Sequence, residues 1–387
     1  MKFCKKIICI ILPLILVITL LSCKKDIEDL ISSEGSLNND SDHPFVNGDT
    51  DFESDVGDDA PPQWNMTAKQ LYAGKKGVKI LGVRNLVNDS RIYLDWAGAG
   101  ISVALNLNGG KIVFTVNGSG NFKVYVDGVP HLSSDGTEIF TLSAGPRIVL
   151  ENISSGEHIV TVVKVDGYDS RVEIPNIIFD GTLLEAPPNP QKYYIEFIGD
   201  SHALNQCADG VQDNTLMYPY LTAQKLDADY SLTLLENAAL ILGDKNIAEE
   251  YLYTSRGRAS NEKYLFERKA DFIVVDLGND EQSTDKDAVI SSYKELLLML
   301  RQKNGSNSKI YCVFDTNNPF AMEISELCSE LGGDSAGVYA VDIGVADQNG
   351  AVRKITDKIE DTKEQEIEGF IRSGYGTVIS WKDGKSQ

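Results

Sequence analysis

The feature that most constrains the fold is a change of hydrophobic rhythm across the segment EAPPNPQ, residues 185–191. Upstream, from about Val78 to Phe179, apolar residues come in short runs such as VKILGV, GISVALNL, GKIVFTV, NFKVYVDG and EHIVTVVKV. Turn signals (NGG, VNGSGN, DGV, SSGE) separate them at short intervals, the pattern of antiparallel strands with one face in a core. In NFKVYVDG, Phe122, Val124 and Val126 fall on one face and Lys123 and Tyr125 on the other, because side chains alternate along a strand. Downstream the runs lengthen. The near-continuous strands YYIEFIG, YSLTLL, DFIVVDLG, KIYCVFD and GVYAVDI are separated by helical periods, clearest where Ile290, Tyr293, Leu296, Leu297 and Leu300 share one face. Strands apolar on both faces belong in a parallel sheet covered by helices. Between the two regimes, three prolines in four positions favour an extended connector.

The expected fold class is therefore α/β, with an all-β sandwich over residues 68–184, a Pro-rich linker over 185–191, and a three-layer αβα domain with a parallel five-stranded sheet over 192–387. A chain of 387 residues allows each domain its own core. Ahead of them, Met1 to Lys6 carries three lysines and Ile7 to Leu21 is apolar apart from Cys9, Pro13 and Thr19, the layout of a signal peptide over 1–22. LLSC, ending at Cys23, resembles a bacterial lipobox, which implies lipidation of Cys23, membrane attachment through that lipid anchor alone, and residence in the cell envelope. Residues 23–67 are expected to be a disordered tether, since Asp26 to Met66 holds twelve acidic residues, no lysine or arginine, and no apolar period. The formal charge of −21 argues against nucleic acid as a partner.

Three cysteines remain beyond Cys23. Cys312 and Cys328 sit in apolar-periodic runs and are expected to be buried thiols, while Cys207 falls in the loop after Ser201. An odd number makes a full disulfide framework unexpected, and with no cysteine or histidine partner at ligand spacing neither a metal nor a cofactor is expected.

In an open parallel sheet, chemistry gathers at the carboxyl ends of the strands. One strand ends in Gly199-Asp200-Ser201 and another in Gly278-Asn279-Asp280. A serine in a tight strand-to-helix turn exposes its hydroxyl beside backbone N–H groups that suit an oxyanion, and an asparagine from a second strand end adds a donor. YYIEFIGDSHALNQ, YPYLTAQKLDADYSLTLLENAAL and ADFIVVDLGNDE resemble the SGNH or GDSL hydrolases and, within them, carbohydrate esterase family two. LDWAGAGISVALNLNGGKIVFTVNG, FKVYVDGVP and SSGEHIVTVVKV are similar to that family's N-terminal jelly-roll module, so the resemblance runs from about Val78 to Ser380.

The resemblance implies removal of O-acetyl groups from xylan- or mannan-type polysaccharide, with Ser201 as nucleophile and oxyanion donor, Asp200 beside it, and either Asn279 or Asp280 at the oxyanion asparagine. Ala239, in ENAAL, stands where the family carries a glycine N–H. The family's base lies in an Asp-x-x-His before the last helix. DKIEDTKEQEIEGFI matches it with Asp357 in step and Glu360 where histidine would stand. A glutamate, with an ordinary pKa of about 4.3, is a far weaker base near neutrality than histidine at about 6.5. The chain's histidines are His43, His131, His158 and His202, and none follows position 202. His202 is expected to leave the turn away from Ser201 and line the pocket rim; Tyr218, Tyr220, Trp381 and Trp96 are candidates to stack on sugar rings. The expected partner is a polysaccharide or acetylated glycan, bound by an impaired esterase or by a glycan-binding protein without turnover.

Overall fold

The computed structural model describes residues 64–67, 77–83, 92–142, 147–166, 172–185, 191–204, 212–243, 245–254, 263–344 and 347–372. The signal segment, Cys23, His43, Cys207, Trp381 and most of the linker lie outside them.

The short upstream runs form ten strands: β1 Trp64–Thr67, β2 Val78–Leu81, β3 Ile92–Tyr93, β4 Gly100–Asn117, β5 Gly120–Val126, β6 Val129–His131, β7 Ile139–Leu142, β8 Arg147–Ile153, β9 Gly156–Lys164 and β10 Glu173–Leu183. Their main path is β1-β10-β4-β9-β5-β6, with β2 and β8 also on β4, β3 on β10 and β7 on β5, and every pairing is antiparallel. The alternation read from NFKVYVDG holds, with Phe122 and Val124 fully buried beside Phe114, Ile148 and Val162. Strand β1 pairs with β10 from Trp64↔Phe179 to Thr67↔Asn176, so the sheet begins a few residues inside the segment expected to be tether. The backbone hydrogen bonds of an extended partner outweigh that segment's composition here.

The downstream runs form a parallel five-stranded sheet, β12-β11-β15-β16-β17, from β11 Tyr193–Gly199, β12 Ala228–Leu234, β15 Phe272–Asp276, β16 Lys309–Phe314 and β17 Val338–Asp342. A two-stranded ladder, β13 Ala238–Ala239 with β14 Lys245–Asn246, stands apart from it. The helices are α1 Tyr218–Lys225, α2 Ile247–Glu250, α3 Lys286–Asn304, α4 Ala321–Glu330, α5 Gly333–Ala336 and α6 Gln348–Arg372. Alternate strand residues face opposite layers. Tyr194, Ile198, Ile273, Val275, Ile310 and Cys312 pack with α3 and α4, whereas Ile195, Phe197, Phe272, Val274, Tyr311 and Val313 pack with α1 and α6. Burial on both faces is why these strands read as unbroken apolar runs. Asp285 caps α3 by accepting the N–H of Ala288, and Tyr293, Leu296, Leu297 and Leu300 form its buried stripe. Cys312 and Cys328 are free and buried between these layers.

The sandwich is stitched to the α/β layers. Trp96 is buried among Ile198, Leu235 and Ile247, and its indole N–H donates to the Thr254 carbonyl at 2.9 Å, so it is a packing residue and not a sugar platform. The Tyr230 hydroxyl donates to the Gly98 carbonyl at 2.7 Å, the Asn214 side chain to that of Val165 at 3.0 Å, and Lys123 pairs with Asp213 at 2.7 Å.

Candidate active site

Strand β11 leads straight into a 3₁₀ turn over Ser201–Ala203, capped by the Asp200 carboxylate. Gly199 permits this turn, since a Cβ there would stand 2.8 Å from the Ala203 methyl and 3.1 Å from Leu234. Asp200 is completely buried. One of its oxygens accepts the His202 N–H at 3.0 Å, and the other accepts the N–H groups of Gly278, Asn279 and Asp280 at 3.0, 2.9 and 3.2 Å. It thereby clamps the loop after β15 to the turn after β11. Burial, with Asp276 and Asp280 nearby, pushes its carboxyl up to about 7.

Ser201 is half-buried at the carboxyl edge of the sheet. Its N–H donates to Asp280 Oδ2 at 2.8 Å, and its hydroxyl donates to the same oxygen at 2.5 Å. The Asn237 N–H reaches Ser201 Oγ at 3.0 Å. Among the described residues, Ser201 is the only partner of the Asp280 carboxylate. Of the two open choices at the strand end after β15, the structure therefore brings the Asp280 side chain to Ser201. The Asn279 side-chain nitrogen is buried with no hydrogen-bond partner among the described residues. The backbone donor also differs from expectation. Asn237, in a left-handed conformation at φ 53°, turns its N–H to Ser201, whereas Ala239 is taken into the β13–β14 ladder. Glu281 fixes this second loop, accepting the N–H groups of Leu240, Ile241 and Leu242 at 2.9–3.0 Å.

His202 is tied down by two carboxylates. Its Nδ1 lies 2.7 Å from Asp276 Oδ2 and its Nε2 3.7 Å from Asp315 Oδ2. The hydrogen bond to Asp276 raises the imidazole to about 9, against the opposing effect of burial. The Tyr218 hydroxyl donates to the same Asp276 oxygen at 2.5 Å, and burial beside that carboxylate holds its phenol well above the usual range. Tyr218 is thus a fully buried support and offers no ring face to a sugar. Tyr220 packs edge-on against Tyr230 at 5.4 Å. Sequence reasoning missed Asp276, Asp315, Asn237 and Glu281. The signal for the first two was present, because VVD and VFD each end a strand in aspartate at the functional edge.

The structure does not bring Asp357 or Glu360 to Ser201. Helix α6 begins at Gln348, so both positions fall within it, on its exposed side, while Ile355, Thr356 and Ile359 are buried. Gln348 marks the end of α6 near the site, as it accepts the Tyr218 N–H at 2.7 Å. Glu360 lies twelve residues further on, about 18 Å along a helix. The stretch that does enter α6 is Asp347-Gln348-Asn349-Gly350. Asp347 caps the helix by accepting the Gly350 N–H at 2.6 Å, and Gly350, three residues on, has no side chain to act as base. The similarity of DKIE to the motif arose because the helix starts earlier than the sequence suggests.

The structure thus sets a strand-end serine on a parallel αβα sheet behind an antiparallel sandwich, with Asp200 clamping the loop of the neighbouring strand to the serine turn. Solved structures agree on that fold. A family two carbohydrate esterase from Clostridium thermocellum, in complex with cellohexaose, aligns with TM-score 0.64 and 20% identity, covering 74% of this chain and 99% of that one. One from Cellvibrio japonicus aligns with TM-score 0.65, 17% identity and coverage of 78% and 98%. The acetyl xylan esterase of Butyrivibrio proteoclasticus gives 0.65, 15%, 78% and 99%. By sequence, the chain is 25% identical over 242 residues to the cellulase/esterase CelE of Acetivibrio thermocellus, 56% of this chain but only 28% of that protein's length. No family model matches the chain.

Proposed function

We propose that this protein is an envelope-tethered, glycan-recognising relative of the carbohydrate esterases in which ester hydrolysis at Ser201 is suppressed. The carrying observation is the Asp280 carboxylate seated on both the N–H and the hydroxyl of Ser201. In acyl transfer that N–H serves the oxyanion, and a carboxylate on it opposes the developing negative charge. The second support is the missing proton acceptor: His202 is engaged by Asp276, and Gly350 stands three residues after the cap of α6. Losing the base of a serine site costs on the order of a millionfold in turnover. The glycan part of the reading rests on the fold shared with carbohydrate esterases, one of them bound to cellohexaose. The jelly-roll topology of the sandwich, the signal segment and lipidation at Cys23 belong to the same proposal and rest on the sequence. No described helix is long and apolar enough to cross a membrane.

Native protein and Ser201→Ala are expected to bind xylan- or mannan-type oligosaccharide alike and to release no acetate from acetylated xylan. Acetate release at esterase rates that vanishes in Ser201→Ala would overturn the reading. The 2.5 Å contact from Ser201 Oγ to Asp280 Oδ2 favours one alternative, in which Asp280 is itself the base. In that case the Oγ proton passes to Asp280 as Oγ bonds to the acyl carbon and the carbonyl π pair moves onto its oxygen, and Asp280→Asn abolishes whatever turnover the native protein has.

A further inference from the structure

A second cleft lies toward the amino ends of the parallel strands. A cleft of about 880 Å³ opens between the outer face of the sandwich and α1. Its floor is one cross-strand row, Lys79↔Ser102↔Thr161↔Tyr125, running over β2, β4, β9 and β5. The residues flanking this row in sequence, Ile101, Val103, Val160, Val162 and Val124, are buried in the sandwich core, so the row stands on a rigid base. Its opposite wall carries Tyr220 and Gln224 from α1, with Asp229 and Tyr230 from β12. Asp229 is the second residue of β12, and Leu234, the last, pairs with Gly199 beside Ser201. Five residue steps along β12, about 17 Å, separate Asp229 from that strand end.

The lining selects a chemistry. Its three cations are each held by carboxylate: Lys79 by Asp229 at 2.6 Å, Arg268 also by Asp229, and Lys123 by Asp213 at 2.7 Å and Glu138 at 3.4 Å. Cations neutralised in this way leave no strong field for an anion. What remains is a mixture of hydroxyls on Ser102 and Thr161, which bond each other at 2.7 Å, the Tyr125 hydroxyl, the exposed amide of Gln224, the half-buried Tyr220 ring and the Asp127 carboxylate, itself paired with His158. Gln191 adds a buried side-chain oxygen with no hydrogen-bond partner among the described residues. Donors and acceptors of both kinds around aromatic rings suit a neutral polyhydroxyl ligand, and the volume is that of an ordinary ligand site. We infer that this cleft is a second binding site, for a neutral oligosaccharide segment, formed jointly by the sandwich and α1 and independent of Ser201. This goes beyond the proposed function, which concerns the Ser201 cleft alone.

Isothermal titration with cellohexaose, xylohexaose and mannohexaose tests it, using native protein, Ser201→Trp to block the active-site cleft, and two variants that fill the second one. Gln224→Trp changes an exposed residue at the mouth and Thr161→Trp a half-buried one on the floor, with unchanged melting temperature as the check on folding. The expected result is that at least one hexasaccharide binds, that its affinity falls about tenfold or more in Gln224→Trp and Thr161→Trp, and that Ser201→Trp retains this binding. If both cleft-filling variants bind as the native protein does and Ser201→Trp abolishes binding, the second site is refuted while the glycan reading of the Ser201 cleft stands. Absence of saturable binding by native protein to all three up to about 10 mM would refute both.

Discussion

The two loops that would converge on Ser201 differ in how much of a catalytic site each supplies. The loop after β15 is bound tightly to the nucleophile turn: three of its N–H groups fall on Asp200 and the Asp280 side chain returns to Ser201. The stretch entering α6 contributes a helix cap, Asp347, and then a glycine. The difference teaches that the serine turn is held by interactions that also hold the fold, whereas a base at the start of α6 would serve catalysis alone. A chain can lose the second without loosening the first.

That comparison fails if the β15 side is not structural. Asp200→Ala, which strands four N–H groups, that of Gly278 buried and the others part-buried, is expected to cost the most, on the order of 3–5 kcal/mol in urea unfolding, whereas Asp200→Asn, retaining an acceptor oxygen, costs less than half as much. Glu281→Ala is expected to lose about 2 kcal/mol by removing the acceptor for Leu240, Ile241 and Leu242.

His202 gives a pH signature. Its imidazole is raised from 6.5 to about 9 by Asp276, so its contribution is full below pH 6.5 and is lost as pH rises through about 9. The melting temperature should therefore fall across that window. His202→Gln should flatten the fall, a difference of about 1–2 kcal/mol with allowance for partial exposure. The smallest effect belongs to Glu360→His. An exposed position within α6 should give a change within about 0.5 kcal/mol in stability and no gain in esterase turnover. A Ser201-dependent gain would restore Glu360 to the base position.

Much of the fold was legible because periodicity reports burial directly. The switch from one-sided runs such as NFKVYVDG to two-sided ones such as DFIVVDLG marks the passage from antiparallel sandwich to parallel sheet. The meeting of Ser201 and Asp280 was legible too, since the turns after neighbouring parallel strands converge at one edge of the sheet. The backbone donor was not. Whether Asn237 or Ala239 faces Ser201 depends on a left-handed residue in a loop, which side-chain identity does not encode. The base position misled for a related reason: α6 starts nine residues before the Asp357 match, and helix boundaries are set by caps such as Asp347 more than by periodicity. Trp96 and Tyr218 were misjudged because an aromatic residue at a domain seam and one on a binding face look alike in sequence.

The central claim is that the acyl cradle is intact but closed by Asp280 and left without a base. Its most direct measurement is the hydrolysis of p-nitrophenyl acetate by the native protein, by Asp280→Asn/Gly350→His, and by the same double variant carrying Ser201→Ala. Reopening the oxyanion donors and supplying imidazole at the start of α6 should raise turnover by at least about a hundredfold, and Ser201→Ala should remove the gain. Native turnover already at esterase level, abolished by Asp280→Asn, would contradict the claim and make Asp280 the working base.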